Sequence, residues 1–259
     1  MIRPAMLIHL TAAFLVFLCT SAFAAEEQVN FQVQPDSIII DALYNGTTLT
    51  VTGNVPADSE VVARFVGTPT DLHMKEKGKV FGLLWMNLES LTFKNVPNIC
   101  IVCTSKDLKD GTSSPNPALQ ELELSGLKSS VQVESAANID PQKDIEELLK
   151  LKQDEGLYRQ LTQKLTYEAA SSGMKTFKTT IPVPSRLSPG KYTVEVAAVR
   201  NDGIVARASM PVNVALTGFP ALLSTLAFGN GALYGILATV IAVLAGLGIG
   251  LVFQSKGAH

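Results

Sequence analysis

The sequence predicts a mainly β protein: an exported immunoglobulin-like β-sandwich with a helical insertion, followed by one C-terminal transmembrane helix. Three observations carry this expectation. Short runs of alternating apolar and polar residues, broken by turn residues, occupy residues 29–66 and resume at 176–214, which is the period-2 pattern of half-buried strands. Between them lies a block rich in helix formers, residues 140–171. Near the C-terminus, residues 232–253 (ALYGILATVIAVLAGLGIGLVF) carry no charge; as a helix rising about 1.5 Å per residue they reach about 33 Å, enough to cross a hydrocarbon core of about 30 Å.

Residues 1–24 combine Arg3, an apolar run at 10–18 and Ala22-Phe23-Ala24, the charged, hydrophobic and small-residue parts of a secretory signal peptide. Cleavage after Ala24 is the expectation and an uncleaved membrane anchor the alternative, the apolar run being short for a full span. Leu18 precedes Cys19 where a lipoprotein signal needs a small residue, so lipidation is not expected. Export followed by a stop-transfer helix is expected to put residues 25–215 outside the membrane and 254–259 inside. Lys256 agrees with the positive-inside rule.

In the first half of the exported region, VNFQVQP, SIIIDAL, TLTVTGNV and EVVARFVG read as strands. Asn45-Gly46 suits the positive φ angles of a type I′ hairpin turn, and Asn45-Gly46-Thr47 has the form of a glycosylation acceptor. Further strands are expected at 79–84, 90–93 and 99–104, a spacing that points to an immunoglobulin-like sandwich. Trp85, the single tryptophan, reads either as core or edge packing or as a binding platform. Asn87 is expected to turn or cap the backbone beside it.

Cys100 and Cys103 form a C-x-x-C in NICIVCT. Redox motifs of this kind put one sulfur at a helix N-terminus, but the flanking Ile and Val favour a strand. Three residues apart on a strand, the two side chains point to opposite faces, and a mutual disulfide would need distortion. Small buried hydrophobes are the leading reading. A redox role, an intermolecular disulfide and metal binding are the alternatives, the last short of ligands because His73 is the one histidine of the exported region.

Residues 107–116 read as a loop and 117–127 as a short helix, within a helical insertion spanning about 116–172. Asp140-Pro141 opens the long helix as N-cap and first-turn proline. Ile145, Leu148, Leu149, Leu157, Leu161 and Leu165 mark an apolar stripe that packs on a sheet, with Gly156 as a weak point or kink. Strands resume at 176–182, 191–200 and 203–214, with Asn201-Asp202-Gly203 as a hairpin turn and SPGKY as a turn entering a strand. Residues 216–231 form a membrane-proximal segment in which Phe219, Leu222, Leu223 and Leu226 share a helical face. That segment reads as an interfacial helix or a buried connector. Within the span, Ala238, Ala242, Gly246 and Gly250 recur every four residues, the small-residue face that lets helices approach closely.

The formal net charge is −2, with no basic block, which argues against a nucleic-acid partner. Three cysteines are too few for a disulfide scaffold. No phosphate loop, metal cluster or nucleophilic triad stands out, so neither a cofactor nor an enzymatic activity is expected.

The ordered set GTTLTVTG (46–53), GLLWMN (82–87), residues 90–93 with Val96-Pro97, SPGKYTVEV (188–196) and Leu233-Tyr234-Gly235 resembles a bacterial family of transmembrane proteins of alphaproteobacterial type. The resemblance implies a signal sequence, a periplasmic region and one C-terminal span. It also implies a transport-accessory role, since members are often encoded beside sulfite-exporter-like permeases. Cys100 and Cys103 stand outside its pattern. The expectation is a membrane-anchored periplasmic binding or accessory protein that assists an anion-exporter-type permease or self-associates through its span. Interaction candidates are Trp85, Asn87, Ala242, Gly246 and Gly250. A thiol-redox factor using Cys100 and Cys103, or a purely structural envelope protein, is the alternative.

Overall fold

Three sheets are built from the alternating runs. A computed structural model describes residues 29–105, 117–134, 140–162, 164–168, 173–200 and 203–254. The expected signal peptide with Cys19, the loop at 107–116, Asn201-Asp202 of the expected turn, and the tail from 255 lie outside the described residues.

β1 (Asn30–Gln34), β3 (Thr47–Pro56), β11 (Met174–Val183) and β10 (Leu165–Tyr167) form a four-stranded antiparallel sheet in the order β1-β3-β11-β10. A six-stranded sheet has the order β2 (Ser37–Ile40), β13 (Gly203–Leu216), β12 (Gly190–Arg200), β4 (Glu60–Gly67), β7 (Cys100–Thr104) and β9 (Tyr158–Leu161). Its two outer pairs, β2 with β13 and β7 with β9, are parallel. Alternation then does what the pattern promised: Leu49, Val51 and Val55 of β3 meet Phe65 of β4, Tyr192, Val194 and Val196 of β12, and Ile101 of β7 in one core between the two sheets. Phe65 and Tyr192 stack with ring centroids 5.2 Å apart.

The opposite face of the six-stranded sheet, with Val62, Cys100, Val102, Ala197 and Val199, is covered by a second core. Its lid consists of α1 (Pro117–Leu122), a 3-10 turn (Leu124–Gly126), α2 (Leu127–Ser130) and α3 (Pro141–Asp154). Asp140 caps α3 as its pattern predicts, accepting from the amides of Gln142 and Lys143, and Ile145, Leu148 and Leu149 face the sheet. Arg64 ties lid to sheet: it pairs with Glu195 at 2.6 Å and donates to the carbonyls of Glu121 and Leu122.

The apolar stripe does not continue as one helix. Gly156, at φ +74°, ends α3: its amide donates to Gln153 and that of Leu157 to Lys152, the paired bonds of a Schellman stop. Leu161 and Leu165 therefore lie on β9 and β10, not on α3. The insertion accordingly mixes its helices with three short strands, the third being β8 (Gln132–Glu134).

Asn45-Gly46 is not a hairpin turn. β2 and β3 belong to different sheets, so this segment carries the chain from one sheet to the other. Gly46 keeps its positive φ of +91°, but the reason is tertiary, since a Cβ there would lie 2.8 Å from the Val183 carbonyl oxygen.

From Leu216 the chain passes into α4 (Gly218–Gly229) and α5 (Gly231–Gln254). Neither helix buries a residue, which removes the buried-connector reading of α4. α5 has a mean hydropathy of 2.6 and is the one helix, among the described residues, long and apolar enough to cross a membrane.

Candidate functional site

The third sheet places the most conspicuous surface of the molecule. β5 (Pro69–Val80) and β6 (Leu84–Pro97) pair along a long hairpin. Its base, with Leu72, Met74, Leu91, Phe93 and Val96, packs into the second core. Beyond the pair Glu76↔Glu89 the register shifts, leaving Leu88 as the extra residue of a bulge. The pairs Lys77↔Asn87, Gly78↔Met86, Lys79↔Trp85 and Val80↔Leu84 then continue to the turn Phe81-Gly82-Leu83.

Among the described residues, none buries this tip. Phe81 is 94% exposed and Leu83 84%; Leu84, Trp85, Met86 and Leu88 are also exposed. Because side chains alternate along a strand, the tip has two faces. Leu84 and Met86 lie on one, with Leu88 laid across Gly78, where a Cβ would come within 2.2 Å of its Cδ1. Trp85, Asn87, Lys77 and Lys79 lie on the other, and the Lys79 ammonium sits 5.3 Å from the Trp85 ring centroid. Phe81 takes φ +51°, a conformation costly for a bulky residue, and no packing offsets that cost.

The expected strand at 79–84 is thus this turn with the residues around it. Core or edge packing of Trp85 is overturned, since the indole is 67% exposed. Asn87 does not cap or turn the chain; it sits in β6 opposite Lys77, next to the bulge. The signal for the exposed tip was present in the sequence as Phe81-Gly82-Leu83, an apolar-Gly-apolar triplet between two strand-like runs.

Cys100 and Cys103 both lie on β7, are buried and are unpaired. Cys103 enters the core between the sheets and Cys100 the core beneath the helices. Burial pushes the Cys100 thiol up to about 12 and the Cys103 thiol to about 11, so the nucleophilic thiolate is scarce at neutral pH. No group of three or more His, Cys, Asp or Glu able to hold a metal ion occurs among the described residues.

In α5, Ala242, Gly246 and Gly250 are exposed along with the rest of the helix, and nothing lies within 4 Å of the Cβ position of Gly246 or Gly250. The structure brings none of them near Trp85 or Asn87; the interaction candidates fall on two separate elements.

The profile of a family described as "Putative transmembrane protein (Alph_Pro_TM)" matches residues 28–255. No curated relative matches the chain.

Proposed function

The chain belongs to this family of transmembrane proteins, and from that premise we propose that it is a non-catalytic accessory protein of the bacterial inner membrane. The N-terminal segment exports it, the sandwich stands in the periplasm, α5 anchors it and the tail faces the cytoplasm. Its partner is an integral-membrane protein, of the sulfite- or anion-exporter permease type, met through α5.

The observation that carries this reading is a 24-residue apolar helix, α5, with no buried residue, following directly on a folded β domain through α4. A helix satisfied only by lipid needs no small-residue face, and the recurrence of Ala242, Gly246 and Gly250 is of the kind that lets a second helix approach. The immunoglobulin-like reading of the sandwich draws support from its strand order. β1-β3-β11-β10 against β13-β12-β4-β7 is the arrangement of an ABED sheet facing a GFCC′ sheet.

Co-purification of the full-length chain from detergent extracts tests the reading. A specific permease should be recovered, and Gly246→Leu with Gly250→Leu should reduce crosslinking to it while the protein stays in the membrane. Recovery of no membrane protein, or crosslinking unchanged by both substitutions, would sink it.

A further inference from the structure

We infer that the tip of the β5–β6 hairpin, residues 77–88, inserts into the surface of an anionic lipid bilayer, so that the sandwich is held to the membrane at a second point besides α5. This deepens the proposed function and rests on its premise that the chain is membrane-anchored. It does not depend on the identity of any permease.

The chemistry of the tip matches that occupant. Phe81 and Leu83 supply almost fully exposed apolar groups, and Leu84, Met86 and Leu88 supply half-exposed or more exposed ones. Trp85 is the residue type that settles at headgroup level, with an apolar ring and a polar N–H. Lys77 and Lys79 are the only charged residues in 77–88, so the outermost segment is cationic; the acidic pair Glu76↔Glu89 lies behind the bulge. Leu84 and Met86 share one face with the Leu88 side chain, while Trp85 and the two lysines share the other. This division suits an element whose apolar side enters acyl chains while its ammonium groups meet lipid phosphates.

The fold roots the hairpin at the end of the six-stranded sheet where β13 leads on to α4 and α5. Tyr192 pairs with Gly67 on one side and Val212 on the other, so the passage from β4 into β5 is level with a point four residues before Leu216, where β13 hands over to α4. β5 has 12 residues, a strand of at most about 40 Å at about 3.3 Å per residue. A bilayer is the large apolar partner that the α5 span, joined to this domain through α4, brings beside it.

Trp85, as the single tryptophan, reports on the tip directly. The full-length chain is placed in nanodiscs of phosphatidylcholine, with or without phosphatidylglycerol, and its emission read with brominated acyl chains as quencher from the lipid side and acrylamide from the water side. Co-elution of chain and disc checks the anchoring premise separately. The expected result is blue-shifted emission, quenching by brominated lipid and protection from acrylamide, all stronger in the anionic discs. Lys77→Gln and Lys79→Gln should each lower the ratio of inserted to free tips about fivefold, and both variants leave the cores untouched. Water-exposed emission without brominated-lipid quenching, in discs that do carry the chain, overturns the inference. So does protection from acrylamide without brominated-lipid quenching, which identifies contact between copies of the chain. Equal quenching in both disc types overturns the anionic-lipid assignment.

Discussion

Tyr192 donates its hydroxyl to the carbonyl oxygen of Ser188, four residues upstream, at 2.7 Å, and accepts from the Asn98 amide at the same distance. The ring stacks on Phe65 in the core between the sheets, while the hydroxyl ties the turn before β12 to the loop before β7. A hydroxyl near the start of a strand, bonded back to the chain a few residues earlier, fixes the corner at which the chain enters that strand. Tyr192→Phe keeps the packing and removes both bonds; a loss of about 1–2 kcal/mol is expected in chemical denaturation. An unchanged midpoint would show that the corner contributes nothing.

Gly46 offers a sharper backbone test. Its positive φ and the Val183 carbonyl 2.8 Å from its Cβ position act together, so Gly46→Ala should cost at least about 1 kcal/mol. Gly82 shares the positive φ but has nothing within 4 Å of its Cβ position. Gly82→Ala should therefore be milder, and the difference between the two melting temperatures isolates the steric part.

Arg64 joins the sheet to the helical lid through Glu195 and two lid carbonyls. Arg64→Met retains much of the stem packing and removes these bonds. The expected cost is about 2–3 kcal/mol, since bonds to a charged group in a partly buried setting are the stronger kind. Hydrogen exchange should show α1 and the 3-10 turn losing protection before β12 does.

The two thiols make a prediction in pH. Their folded pKa values, about 12 for Cys100 and about 11 for Cys103, stand above the unfolded value of about 8.5. Thiols raised on folding contribute stability that is fully present below about pH 8.5 and is lost as pH rises towards 11 and 12. Native protein should resist alkylation at pH 8 and react after unfolding, and Cys100→Ala with Cys103→Ala should flatten the alkaline limb of the stability curve. Rapid native-state labelling at pH 8 would restore the redox alternative.

Much of the local structure was legible in the sequence. The Asp140 cap, the strands at 29–66 and the opposite faces of Cys100 and Cys103 follow from patterns a few residues long. Gly156 shows where that legibility stops: a kink within a helix and a Schellman stop use the same residue, and the choice falls to the pairing of Tyr158 with Cys100 across β9 and β7. Asn45-Gly46 shows it again, because a hairpin turn needs its flanking strands in one sheet, and here β2 and β3 are claimed by different neighbours.

The amino-acid order alone specifies the α5 span, through an unbroken apolar run whose length is set by helix rise and bilayer thickness. It also determined that most of the chain is sheet, through an alternation each strand carries within itself. That Trp85 faces outward follows from the folded arrangement and from no local pattern. Whether an apolar strand residue is core or surface depends on a second layer opposite it, and past the bulge at Leu88 none of the described helices and sheets buries the hairpin's apolar side chains.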